Sequence, residues 1–199
     1  MRTLACLLCL LPAAALPQTL DRGERDRAMS ELHATRKQFL DAVAGLSAAQ
    51  WNFKPSPAAW SVAETAEHIA ASEDFLFETI TRKIAAAPAD PARKAEVKGK
   101  DETVLAAIRD RAKKATAPEP LLPKRRWAGP QALVDHFRRS RDTTIAYVEK
   151  TDTDLRSRFA PHPAVGLLDA YQWILLTAAH SGRHIDQILE VRAHPDFPR

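Results

Sequence analysis

The segment Leu167–Val191, LLDAYQWILLTAAHSGRHIDQILEV, decides how the rest of the chain reads. Tyr171, Leu175, Ala178, Gly182, Ile185 and Leu189 recur at alternating steps of four and three, the period of a helix that buries one seam. Gly182 sits inside that seam at a cost of about 1 kcal/mol relative to alanine, which a close approach of another helix would justify. His180 and His184 stand four apart, so their imidazoles project from one face about one turn apart. That face lies opposite the seam and also carries Trp173 and Thr177.

Three further long helical patterns lead up to this one. Ala28, Leu32, Thr35, Phe39, Ala42 and Leu46 form a similar seam and predict a helix from about Glu24 to Leu46. The stretch from Trp51 to Pro57 cannot be helical throughout, because its prolines remove donors and bias their predecessors toward extended backbone. Ser61 followed by Glu64 then reads as a capping box opening a second helix, which runs to about Ala86 before Pro88 and Pro91. Pro130 is a good first-turn residue for a third helix to about Lys150, with Leu133, Phe137, Thr144 and Val148 inward. Between the second and third lies residues 88–125, with a shorter charged helix expected over residues 101–116. Its apolar stripe of Val104, Leu105 and Ile108 is narrow, so an exposed insertion is expected. Four amphipathic helices of this length predict an all-α protein, a four-helix bundle with one short extra helix in the connection between its second and third bundle helices.

Composition agrees with one domain. The 199 residues are 45% apolar and 27% charged, with only six glycines, a balance that suits helices better than the many tight turns of an all-β fold. Residues 1–17 read as a signal peptide, leaving residues 18–199 as the domain. Arg2 gives a positive start, Leu4 to Leu11 an apolar run, and Ala13-Ala14-Ala15 a small-residue cleavage site. The expected location is therefore periplasmic or secreted, with no stable membrane association once the signal is removed. Cys6 and Cys9 are the two cysteines and both lie in the signal, so the mature chain would hold no disulfide, thiolate ligand or cysteine nucleophile. The net charge of +4 identifies no partner. The runs Lys124-Arg125-Arg126 and Arg138-Arg139-Ser140-Arg141 match no nucleic-acid motif and read as solvated helix ends and faces, so no nucleic-acid partner is expected.

A chemical constellation emerges when His68 joins the pair. His68 falls on the second helix, flanking its apolar arc of Val62, Ile69, Leu76 and Ile80 rather than at the arc's centre. Three histidines set off the main seams are placed to meet in a cleft. Three neutral imidazoles on one divalent ion leave positions for water or substrate, the pattern of catalytic sites. Position 181 is serine, so the glutamate base of an HExxH motif is missing. Glu64, one turn before His68, is the nearest candidate base; the other reading is that it only completes the capping box with Ser61. Gln187 and Thr177 flank the histidine pair and are candidates to orient it.

The segment Trp60-Ser61 through His68-Ile69 resembles the second-helix signature of the DinB-like family, and Tyr171-Gln172-Trp173 through His184-Ile185-Asp186-Gln187-Ile188 resembles its fourth-helix signature. His162-Pro163 before Gly166 and the closing His194-Pro195-Asp196-Phe197-Pro198 are also similar to members of this group. The resemblance spans the mature chain. It implies a four-helix bundle in which His68, His180 and His184 hold nickel, zinc or a related divalent ion. Some relatives are thiol-dependent transferases or isomerases; export lowers the odds of that chemistry here, because thiol cofactors are chiefly cytoplasmic. The expected function is a divalent-metal-dependent hydrolase or transferase acting on a small molecule. The alternative is a non-catalytic metal-binding or helical interaction module, and a homodimer stays open.

The remaining residues read more plainly. His33, His136 and His194 have no partner at ligand spacing and are expected at the surface or in local hydrogen bonds. His162, between two prolines, is expected to serve a turn, with the cleft mouth as the alternative. Arg183 is expected to ion-pair with a neighbouring helix. Trp51, Trp60 and Trp173 are expected to pack, with Trp173 in position to line the pocket.

Overall fold

A computed structural model describes residues 19–199, so the expected signal peptide lies outside the described residues. The chain order is α1 (Arg22–Val43), α2 (Ala48–Asn52), α3 (Val62–Glu78), α4 (Lys94–Val97), α5 (Asp101–Arg109), α6 (Pro130–Lys150), a hairpin of β1 (Phe159–His162) and β2 (Gly166–Asp169), and α7 (Ala170–Arg192). Helices α1, α3, α6 and α7 form the four-helix bundle. Helix α7 packs on both α1 and α3, and α6 packs on the other side of the same two.

The helix starts follow from the sequence. Asp21 with Glu24, Ser61 with Glu64, and Asp169 with Gln172 each close a reciprocal capping box that satisfies otherwise orphaned N–H groups. Pro130 opens α6 directly after Gly129, whose φ of 107° few other residues adopt. Helix α1 stops at Val43, earlier than its seam predicts, and Gly45 at φ 67° carries the chain away. Helix α3 continues through a π-helical stretch, Thr79–Ile84.

Two apolar clusters fill the bundle. One gathers Leu32, Leu76, Ile145, Ala178 and their neighbours; the other gathers Phe39, Ala70, Phe137, Ile185 and theirs. Between them, in sequence on every bundle helix, lies a polar residue: Thr35, Glu73, Arg141 and Ser181. Arg141 and Glu73 are 0% and 1% exposed. Arg141 donates to both Glu73 oxygens at 2.8 and 2.5 Å, to the Leu32 carbonyl at 2.8 Å, to Thr35 Oγ1 at 2.6 Å and to Ser181 Oγ at 2.8 Å. The Ser181 hydroxyl donates to Glu73 Oε1 at 2.7 Å. A buried ion pair survives when its remaining donors and acceptors are met, as here. This corrects the reading of Arg141 as part of a solvated basic run: a guanidinium with five donors ties its own helix to the other three at once.

Three other expectations are corrected. Helix α5 ends at Arg109 and is not an exposed insertion; it packs along α7, with Val104 1% exposed. Val104, Leu105 and Ile108 pack into the same apolar cluster as Ile174 and Ala178 of α7. Gly182 provides the close approach, since a Cβ there would lie 2.8 Å from Arg109 Nε. Helix α7 starts at Ala170, not Leu167, because Leu167 and Leu168 pair with Pro161 and Ala160 in the hairpin. Leu189 lies outside the seam, 47% exposed, and Ile188 is buried in its place.

Candidate metal centre

Trp173, Thr177, His180 and His184 lie within a narrow stripe along α7, since steps of four, three and four return to nearly the same angle at about 100° per residue. Helix α3 brings His68 against that stripe. The three imidazoles converge: ring centroids are 5.1 Å apart for His68 and His180, 4.4 Å for His68 and His184, and 4.6 Å for His180 and His184. One nitrogen from each lies within 4.8 Å of the others, and no carboxylate joins this group among the described residues.

Their hydrogen bonds fix which nitrogens face inward. His68 Nδ1 donates to the Leu121 carbonyl at 2.9 Å, because a carbonyl can only accept. His184 Nδ1 lies 2.9 Å from Gln187 Oε1 and donates to it. Each neutral ring then keeps a bare Nε2. His68 Nε2 and His180 Nε2 lie 3.3 Å apart. With His68 Nε2 bare, His180 Nε2–H donates across that gap in the metal-free chain, a proton that a cation would replace. Tetrahedral bonds of 2.0–2.1 Å place ligand nitrogens roughly 3.3 Å apart, so the donor set fits a divalent ion. His180 Nδ1 is buried without a hydrogen-bond partner among the described residues.

Electrostatics keep the rings neutral, as ligation requires. Burial pushes the His180 imidazole well below its ordinary value, and the neighbouring His184, His68 and Arg183 push it further. Burial, followed by His68, lowers His184 to about 3, with Arg183 and Arg111 contributing. His68 is lowered by burial and by Arg126, against its bond to Leu121.

The connection expected to be an insertion builds one wall of this site. Buried Glu67 accepts the backbone N–H groups of Lys124 at 2.7 Å, Arg125 at 2.9 Å and Arg126 at 3.2 Å, and the Arg126 side chain at 2.9 Å. That grip holds Arg125 at φ 58°, a left-handed conformation rare for a side chain of its size. Arg126 also donates to the Leu122 carbonyl at 2.9 Å and that of Pro120 at 2.6 Å, on either side of the carbonyl that orients His68. The sequence reading missed Glu67; the available signal was an acid directly beside His68 on α3.

Glu64 stays at the helix start. Its carboxylate accepts Ser61 N–H at 2.8 Å and Lys54 Nζ at 3.1 Å, so the capping reading describes it and it is not part of the histidine group. Gln187 orients His184 as expected, whereas Thr177 donates to the Trp173 carbonyl at 3.0 Å. Among the described residues Arg183 makes no ion pair of the expected kind. It donates to the carbonyls of Ile108, Asp110 and Lys113, capping the C-terminal end of α5, where a cation is favourable. Arg111 makes the expected kind of pair instead, with Glu190. Trp60 lies against His68, ring centroids 5.1 Å apart.

The other histidines divide. His33 is exposed, His136 bonds Asp74 at 2.7 Å, and His194 packs beside Phe53. His162 does serve its turn, its Nδ1 accepting Ala164 N–H at 3.2 Å, and its ring also packs edge-on against Trp173 at 5.3 Å.

Comparison with known proteins agrees with this architecture. The Bacillus subtilis (strain 168) protein YuaE is 26% identical over 167 residues, covering 82% of this chain and 96% of YuaE. The solved structure of YfiT from Bacillus subtilis superposes with a TM-score of 0.53 at 18% identity, covering 88% of this chain and 89% of YfiT. YfiT is described as a probable metal-dependent hydrolase with an unusual four-helix bundle topology. Residues 31–188 match the DinB superfamily, to which this chain belongs.

Proposed function

We propose that His68, His180 and His184 hold a divalent metal ion, and that the chain is an exported metal-dependent hydrolase or transferase acting on a small molecule. The observation that carries this reading is the convergence of three neutral imidazoles, two of them with Nε2 left bare by a bond at Nδ1, with no fourth protein donor among the described residues. That leaves coordination positions for water or substrate. The description of YfiT as a metal-dependent hydrolase supports the same chemistry.

A divalent ion held there supplies Lewis acidity toward water or a substrate oxygen or sulfur. The chain's own residues do the rest. Leu121 and Gln187 hold two imidazoles in the ligating tautomer. Trp60 packs against the His68 ring. Glu64 and Glu67 are engaged with Ser61, Lys54 and the 124–126 loop, so proton transfer falls to solvent or to substrate groups. Export is supported by the composition of residues 1–17. Among the described residues no helix is long and apolar enough to cross a membrane.

The test is elemental analysis of untagged protein beside His184→Ala. Near-equimolar metal in the native protein and its loss in the variant are expected, together with hydrolysis or transfer in a substrate screen that stops on chelation. Absence of metal after incubation with nickel, zinc or manganese overturns the reading. A large loss of stability on chelation without any turnover assigns a structural ion instead.

A further inference from the structure

The three histidines stand on two helices, so their separation depends on how α7 is turned against α3. Ser181 lies between His180 and His184 in sequence, where an HExxH motif would carry its glutamate. It is turned about 100° from His180, toward the bundle interior, and is 1% exposed. There its hydroxyl donates to Glu73 Oε1 at 2.7 Å and accepts from Arg141 Nη2 at 2.8 Å. Arg141 Nη2 also donates to that same Glu73 oxygen at 2.5 Å, which closes a triangle. Glu73 belongs to α3, the helix that carries His68.

Among the described residues, two direct side-chain hydrogen bonds join α3 to α7: His68 with His180, and Ser181 with Glu73. A cation replaces the proton of the first, so in the loaded chain the second is the polar link that remains. The apolar contacts around it are non-directional, whereas a triangle of charge-assisted bonds holds one orientation. An imidazole nitrogen lies roughly 7 Å from its helix axis, so turning α7 by about 10° moves that nitrogen about 1 Å. Metal–ligand distances tolerate only about 0.2 Å. A small rotation of the helix is therefore enough to unmake the ligand set.

We propose that Ser181, held by Glu73 and Arg141, is a positioning residue for the metal centre: it fixes the rotation of α7 against α3, and with it the spacing of His180 and His184 from His68. This rests on the metal reading above. Thr35 offers the comparison, because its Oγ1 accepts from the same guanidinium at 2.6 Å, through Nη1, yet it stands on α1, which carries no ligand. The Leu32 carbonyl also meets that Nη1, so losing Thr35 leaves the guanidinium nitrogen satisfied.

Competition with a chromophoric chelator gives the zinc affinity of the full chain, and the visible absorption of the cobalt-loaded chain reports its ligand geometry. Ser181→Ala should weaken zinc about tenfold or more, the range for partners that sit behind metal ligands, and should alter the cobalt spectrum. Thr35→Ala should lower the melting temperature while zinc affinity and spectrum stay native. Glu73→Leu/Arg141→Met, which exchanges the ion pair for apolar groups, should stay folded yet bind zinc as weakly as Ser181→Ala. Native zinc affinity in Ser181→Ala or in the folded double variant overturns the proposal and leaves the metal reading standing. Equal weakening in Thr35→Ala also overturns it, since any loosening of the bundle would then do. Absence of zinc binding in the native chain overturns both readings.

Discussion

The metal-free protein should lose stability as pH falls below that of an ordinary histidine. His184 is held neutral down to about 3 in the folded chain, against 6.5 when exposed, chiefly by burial. Below 6.5 the unfolded chain therefore takes up a proton that the folded chain refuses. Stability rises with pH wherever the unfolded state binds more protons, so this contribution is complete above 6.5 and shrinks as pH falls toward 3. Between pH 7 and pH 5 the change from His184 is about 2 kcal/mol, from 1.36 kcal/mol per pH unit of differential binding. His68 and His180, lowered in the same direction, add to it. Urea denaturation at pH 7, 6 and 5 in excess chelator measures the slope. His184→Gln, which cannot titrate, should lower stability at pH 7 yet lose about 2 kcal/mol less between pH 7 and 5. An unchanged slope in that variant refutes the reasoning, because carboxylates that titrate near pH 5 are common to both proteins.

Arg141→Met leaves Glu73 charged and buried and should cost about 3–5 kcal/mol in chemical denaturation, while the Glu73→Leu/Arg141→Met double variant should recover most of that. Glu67→Gln removes the charge gripping three successive N–H groups; proteolysis within 121–127 should become faster, and zinc affinity should fall about tenfold as the Leu121 carbonyl loosens from His68. Gly182→Ala should change the melting temperature little, because the displaced Arg109 group is the flexible end of a side chain and alanine gains about 1 kcal/mol of helix propensity.

The bundle was legible because its signals are local. Alternating steps of four and three mark the seams of α1 and α7, and Ser61 with Glu64 marks the start of α3 within one segment of chain. The same local grammar was present but unread at Asp169 and Gln172, which close a capping box and place the start of α7 after the hairpin. The convergence of His68, His180 and His184 was also legible, since each sits beside a seam whose partner helix is fixed by the bundle.

What the sequence hid are the groups whose meaning depends on distant backbone. Arg141 looks like a member of a basic run until Leu32, Thr35, Glu73 and Ser181 surround it. The 88–125 connection looks like decoration because its decisive contact is a main-chain carbonyl, Leu121 O on His68, and a carbonyl leaves no trace in residue identity. The same holds for Glu67, whose partners are N–H groups of a loop nearly sixty residues on. Helices can bring three histidines together by periodicity alone, but the nitrogen that His68 presents is set by loop backbone and the one that His184 presents by a side chain one turn away. A ligand set is therefore readable from spacing, while the tautomers that let it bind a cation require the fold. In this chain that requirement falls on the long connection, which explains why a segment with no recognisable motif is gripped so firmly against α3.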